Sequence, residues 1–152
     1  MSLKDIAAVS GKPGLYRILK PTRSGVVLES LDEKKTKLVT NTNYRVSVLK
    51  EISIYTTSPQ GSLPLEAVLL NINEIYGTVL EVGSHNQALD EFIAKVVPDY
   101  DADRVYSSDI KKLITWYKIL VNFEPTIFEQ IRQEQEELAK IAAQENQVET
   151  EK

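Results

Sequence analysis

The sequence predicts an α+β protein in which a small β-barrel of the SH3-like or Sm-like kind precedes a bundle of about four helices. Turn-forming residues interrupt residues 10–60 at short intervals, and apolar residues recur at three- and four-residue steps after residue 64. Residues 1–58 carry ten Lys or Arg and five Asp or Glu, whereas residues 59–152 carry eight and seventeen. The net charges of +5 and −9 indicate a basic module joined to an acidic helical one.

Short strands alternate with loops in the first part of the chain. We expect strands at residues 15–20, 25–31, 36–40 and 46–55. A 3₁₀ turn at 49–51 is expected to interrupt the last of them. Because a flat sheet of this size would leave its edges open, we predict that it curls into a barrel. Residues 4–9 are predicted to form a helical turn that plugs one barrel end.

The second part of the chain has the periodicity of amphipathic helices. The first helix is predicted to begin at Pro64, because proline suits the first helical position, and to end at Gly77. Asn86 is predicted to cap a second helix that ends before Pro98. Apolar residues recur at helical spacing within both segments, so each helix is expected to bury one face.

Two further helices are predicted after a polar connection. Ser107 or Ser108 opens the third helix, and Trp116 lies next to its apolar face, so we expect the indole in the core. Thr126 and Glu129 have the spacing of a capping box and are predicted to open the fourth helix.

These elements divide the chain into a β-barrel domain at residues 2–57, a helical domain at 63–142 and a disordered acidic tail at 143–152. The tail is predicted because the composition becomes polar and rich in Ala, Gln and Glu. A dimeric coiled coil is an alternative for the last helix, although Glu134 and Glu145 occupy positions that a seam would leave apolar. The sequence leaves the oligomeric state open.

The composition excludes several kinds of site. The chain has no cysteine, which excludes disulfides, thiolate metal sites and cysteine nucleophiles. The pair Gly11 and Lys12 lacks the other residues of a P-loop, and His85, the only histidine, has no partner residue for a metal or a triad. We therefore expect no cofactor, no metal and no enzymatic activity. No apolar run is long enough to span a membrane, and we expect a cytoplasmic protein.

An acidic segment resembles part of a calcium-binding loop. Asp99, Asp101 and Asp103 alternate as in an EF-hand. Arg104 and Ile110 stand where an EF-hand requires Gly and Glu, so the motif is rejected. We expect a solvated connector in which Arg104 pairs with one of the aspartates.

The basic part of the chain carries the residues with functional content. The candidate residues for binding a partner or a nucleic acid are Lys12, Tyr16, Arg17, Lys20, Arg23, Tyr44, Arg45 and Tyr55. Small barrels bind single strands with a positive groove and aromatic platforms, but solvated lysines that protect sheet edges produce the same composition. We predict a non-enzymatic binding or adaptor protein with a protein partner. The alternative is a regulator that binds RNA or single-stranded DNA through the basic barrel.

Three stretches resemble a known family. They are residues 3–7 with 10–16, residues 46–56, and residues 99–112 with Trp116 and Tyr117. Together they resemble a domain-of-unknown-function family of small bacterial cytoplasmic proteins, which pairs a short N-terminal β domain with a C-terminal helical domain. The resemblance covers roughly residues 3–123. It implies the two-part architecture and brings no assigned activity or site residue.

Overall fold

The first half of the chain forms one antiparallel sheet. The computed structural model describes residues 2–150, with side chains described for residues 2–145. The strands are β1 (Ile6–Val9), β2 (Tyr16–Pro21), β3 (Val26–Ser30), β4 (Lys37–Val39) and β5 (Val46–Val48). Their order in the sheet is β4-β3-β2-β1-β5, so the last strand returns to pair with the first. The predicted strands from residue 15 to residue 48 are all present.

The structure does not confirm the predicted barrel. No pairing between β4 and β5 joins the two edges among the described residues, so hydrogen bonding does not close the sheet. The helical turn predicted at residues 4–9 is also wrong in extent. A first 3₁₀ turn covers only Leu3–Asp5, and the chain then enters β1. Ile6 and Ala7 are fully buried there, because pairing on both sides places β1 inside the sheet.

A second, two-stranded sheet follows a second 3₁₀ turn at Leu49–Glu51. It pairs β6 (Ser53–Tyr55) with β7 (Ser62–Pro64). Hydrogen bonds connect this sheet to the helices that follow, which we call the helical half. The Leu65 amide donates to the Ile52 carbonyl at 2.9 Å, and Thr56 forms a β-bridge with Tyr100. The five-stranded sheet, which we call the sheet half together with the turns that flank it, therefore ends near residue 50, and β6 and β7 connect it to the helical half.

The four predicted helices are all present. They are α1 (Leu65–Tyr76), α2 (Asn86–Val96), α3 (Ser107–Phe123) and α4 (Thr126–Thr150). The cap of α2 is His85 rather than Asn86, and its ring Nδ1 accepts a hydrogen bond from the Ala88 amide at 3.2 Å. The only histidine thus has a structural role at a helix start.

The last helix differs from its prediction at both ends. Thr126 is its first residue rather than its cap. The predicted capping box does not form, because the threonine hydroxyl donates to Glu124 and the Glu129 carboxylate pairs with Arg132. At the other end α4 continues through 143–150, which overlaps the predicted disordered tail. Ala, Gln and Glu are good helix formers and no Gly or Pro interrupts them, which explains the extension. Residues 151–152 lie outside the described residues.

Both halves share one hydrophobic core. Buried residues of the sheet half in this cluster include Leu3, Ile6, Leu15, Leu31 and Leu49. They belong to the same cluster as buried side chains from all four helices. Because each half alone is small, the shared core lets each bury apolar surface that it could not bury by itself.

Tyr117 connects α3 to the end of α1. Its ring is fully buried, its hydroxyl donates to the Gly77 carbonyl, and the Asn73 side chain donates to that hydroxyl at 3.2 Å. Burial raises the pKa of Tyr117 above its ordinary value, against a smaller opposing effect of the Asn73 hydrogen bond. The neutral phenol is therefore the form that the folded protein stabilises.

Removing the Leu49 side chain tests whether the two halves unfold together. Leu49 is 0% exposed, so Leu49→Ala should lower the free energy of unfolding by about 2–5 kcal/mol. Val39→Ala, at a site 65% exposed, is the matched control and should change it by less than about 0.5 kcal/mol. Urea unfolding followed by circular dichroism and by Trp116 fluorescence should give coincident transitions in both variants. Two separate transitions would contradict a shared core.

Alkaline pH tests the environment of Tyr117. Tyr117→Phe should cost about 1–3 kcal/mol at neutral pH, because the groups bonded to the hydroxyl lose a partner. A raised folded-state pKa adds stability below the unfolded value of about 10, and that stability is lost as the pH rises through the folded pKa. The stability difference between wild type and variant should therefore narrow above about pH 10. A difference that stays constant in urea titrations from neutral to strongly alkaline pH would refute this assignment.

Candidate functional site

A groove runs between the sheet half and helix α3. Its central part, which we call the central groove, has a volume of about 520 Å³. One wall consists of β1, β5 and the loop at residues 10–14, and the other consists of α3 with Lys111, Lys112, Thr115 and Trp116. The volume lies in the range of ligand sites in proteins.

The central groove has a basic lining. Its ionisable lining residues are Lys12, Arg45, Lys111 and Lys112, and none of the lining residues that the structure describes is acidic. All four side chains are exposed, and none forms an ion pair with a described carboxylate. Four cations without carboxylate partners make this groove a site of positive potential.

The local fold fixes the two cations of the sheet half. Gly11 and Gly14 have φ values of +81° and +82°, so the loop that carries Lys12 uses backbone conformations that favour glycine. A Cβ atom at Gly14 would lie 3.8 Å from Ile119, which shows that the loop lies against α3. The Ser10 amide donates to the carbonyl of Arg45 at 2.9 Å. These contacts hold Lys12 and Arg45 at the same end of the sheet.

Two smaller grooves extend the central groove in opposite directions. The first end groove, of about 200 Å³, shares Ile52, Lys112 and Trp116 with the central groove and includes Tyr55 and Arg104. The second end groove, of about 400 Å³, shares the segment at 12–14 and includes Tyr16, Ile119 and Phe123. Aromatic residues thus line all three grooves, which we together call the track, and each end groove also has one acidic lining residue, Asp109 in the first and Asp32 in the second.

Trp116 lies where the central groove meets the first end groove. Its side chain packs against the hydrophobic core but is only partly buried, and it lines both grooves. The sequence predicted this residue in the core, which is correct for only part of its surface. The remaining surface is available to a ligand.

Tyr55 is engaged by a neighbouring cation. The Arg104 guanidinium carbon lies 4.3 Å from the centre of the Tyr55 ring, which is a cation–π contact. The sequence predicted that Arg104 pairs with an aspartate of the acidic segment, and the structure places it over Tyr55 instead. One face of the Tyr55 ring is therefore covered by a flat cation. Asp101 accepts a local hydrogen bond from the Asp103 amide at 3.0 Å.

Arg17 does not belong to the basic track. It pairs with Glu124 at the end of α3, at an N···O distance of 3.5 Å, and thereby links the two halves. Its Nε atom is buried with no described hydrogen-bond partner. The role of Arg17 in this structure is therefore structural.

Three other predicted residues lie away from the track. Lys20 and Arg23 are exposed where β2 ends and turns towards β3, at the opposite end of β2 from the loop at 10–14. Tyr44 is 36% exposed in the connection between β4 and β5. None of the three lines a groove described above. The structure thus brings together Lys12 and Arg45, with Tyr16 and Tyr55 in the end grooves.

Lys111, Lys112 and Arg104 were not among the residues predicted to bind a partner, and Trp116 was not predicted to belong to a site. Lys112 and Trp116 are four residues apart on α3, so they share one helix face. This spacing was visible in the sequence. The lysines were overlooked because charges were counted separately for each half of the chain. The half that contains Lys111 and Lys112 has a net charge of −9.

Neither a metal cluster nor a membrane-crossing helix is found among the described residues. Within that part of the chain, no group of three or more His, Cys, Asp or Glu side chains is placed to hold a metal ion. None of its helices combines the length and the apolar character that crossing a bilayer requires.

The fold and the groove define a two-part α+β protein with a basic track at the junction of its halves. The family model for the domain of unknown function DUF5606 matches residues 3–49, and that for the domain of unknown function DUF6852 matches residues 52–120. The chain belongs to the family that combines these two domains of unknown function, as the resemblance implied. Their boundary agrees with the end of the sheet half near residue 50.

A solved structure has the same architecture. A protein of Bacteroides vulgatus, determined by solution NMR by the Northeast Structural Genomics Consortium, is 34% identical to this chain with a TM-score of 0.67. The match covers 83% of this chain and 90% of that protein. No curated protein matches the chain.

A charge swap tests the structural role of Arg17. Arg17→Glu should destabilise the protein by about 1–2 kcal/mol, because it brings a second carboxylate next to Glu124. Adding Glu124→Arg should recover about 0.5–1 kcal/mol, measured by urea unfolding. Arg23→Glu is the matched control and should have little effect. If the double variant is no more stable than Arg17→Glu, the ion pair does not link the halves.

Proposed function

We propose that this protein is a non-enzymatic, cytoplasmic binding or adaptor protein that binds an anionic partner in the central groove. The observation that carries the proposal is the set of four exposed cations, Lys12, Arg45, Lys111 and Lys112, around one concave surface. Lysine and arginine supply positive charge and hydrogen-bond donors, which is what a carboxylate or a phosphate requires of its binding site.

The charge of the whole chain supports a local site rather than general attraction of anions. The formal net charge is −4, so an anion meets a repulsive protein except near a basic region. A cleft with one sign of charge focuses the potential within it. A partner with closely spaced negative charges gains most from such a groove.

We also propose that the sheet half is a small barrel of the SH3-like or Sm-like kind that is not closed by hydrogen bonds between its edge strands. The support is the strand order, in which β5 returns to β1 while β2, β3 and β4 form a meander. The first 3₁₀ turn packs Leu3 into the core beside this sheet. Among the described strands β4 pairs only with β3. A protein partner that binds the groove therefore has an unpaired strand edge beside it with which to form further hydrogen bonds.

Titration with two anionic polymers tests the proposed function. The full-length protein, labelled with ¹⁵N, is titrated with a glutamate-rich peptide and with a single-stranded oligonucleotide. At least one of them should shift the amide signals of Lys12, Gly14 and Arg45 and the indole signal of Trp116. The double variant Lys12→Glu/Lys111→Glu should lose these shifts.

The control keeps the same change in net charge. Lys20→Glu/Arg23→Glu also converts two cations into two anions, but neither residue lines the groove. It should retain the shifts seen for the wild type. Equal losses in both double variants would mean that only net charge matters, and no shifts with either polymer would overturn the proposed function.

A further inference from the structure

We infer that the occupant of the groove is a single-stranded nucleic acid, whose phosphates contact the four cations and one of whose bases stacks on Trp116. This inference rests on the proposed function and names the class of partner. Its basis is the alternation of positive charge with aromatic surface along the track. Single-strand binding sites combine these two elements, because a charged backbone and flat bases alternate in the ligand.

The order of residues along the track fits this ligand. Arg104 lies over Tyr55 in the first end groove, Trp116 lies at the junction, and Lys12 lies between the central groove and the section that contains Tyr16. A chain laid along the track therefore meets cations and rings in turn, with one carboxylate in each end groove, Asp109 in the first and Asp32 in the second. Because Arg104 already covers one face of Tyr55, Trp116 is the largest aromatic side chain without such a cover among the described residues of the track.

The same features disfavour other anionic partners. An acidic peptide satisfies the cations but has no ring to place against the exposed part of Trp116, unless aromatic residues interrupt its charges. A duplex presents phosphates but keeps its bases stacked on one another, so they cannot reach a ring on the groove wall. The exposed part of Trp116 therefore favours a single strand over both an acidic peptide and a duplex.

Fluorescence anisotropy with a labelled oligonucleotide tests the inference on the full-length protein. A single strand of about 12 nucleotides is a suitable probe for a site of this kind. If four phosphates are neutralised, the logarithm of the association constant should fall with the logarithm of salt concentration with a slope of about −3. Lys12→Glu/Lys111→Glu should weaken binding by about 10-fold or more.

Trp116 variants separate stacking from charge. Trp116→Leu keeps an apolar side chain against the core and should weaken binding about 10-fold, whereas Trp116→Phe keeps an aromatic face and should retain most of the affinity. Circular dichroism checks that both variants fold. If Trp116→Leu does not fold, the variants of the exposed lysines still test the inference. Lys20→Glu/Arg23→Glu should change the affinity less than about twofold.

Competition assays distinguish the possible occupants. A glutamate-rich peptide that binds the groove while the oligonucleotide does not would overturn this inference and leave the proposed function standing. Equal or tighter binding of the duplex, or an affinity for the single strand that Trp116→Leu leaves unchanged, would also overturn it. If neither polymer binds, both the inference and the proposed function fail.

Discussion

The second 3₁₀ turn, at Leu49–Glu51, is the constraint on which the rest of the structure depends. Leu49 is 0% exposed within the core that both halves share. Lys50, next to it, pairs with Glu66 of α1 and, at 3.8 Å, with Glu134 of α4. The turn therefore ends the first sheet, directs the chain into the helical half and fixes the two halves against each other.

This arrangement divides the positive charge of the sheet half between two uses. Arg17 and Lys50 face glutamates of the helical half and contribute to the contact between the halves. Lys12 and Arg45 are left without such partners among the described residues and face lysines of α3 across the central groove. The acidic half thus neutralises part of the basic surface, and it also supplies half of the cations in the remaining site.

Helices were the most predictable part of the fold. Their apolar periodicity is long and regular, so all four were predicted, and only some caps and the C-terminal end of α4 were misassigned. Strand β1 was missed because a four-residue Ile-Ala-Ala-Val segment has no period that separates a strand from a helical turn. Strand β7 was missed because its last residue, Pro64, has the properties of a helix start and terminates the strand as well.

The candidate site was predictable only in part, for a geometric reason. Lys12 and Arg45 were proposed from the sequence. Lys20 and Arg23 were proposed as well, because they are the same residue types, and they lie at the other end of β2. Local sequence cannot rank these residues. Only the packing of α3 against the sheet decides which cations face another charged wall.

The groove therefore belongs to the contact between the two domains and to neither domain alone. Lys12 and Arg45 fall within the span of the first family model, whereas Lys111, Lys112 and Trp116 fall within the span of the second. Separating the halves would remove one wall and halve the number of lining cations. A site of this kind ties binding to the shared core, because any change that loosens the packing of α3 on the sheet also moves two cations and the tryptophan. On the proposed function, the joining of the two domains in one chain assembles the binding groove as well as the shared core.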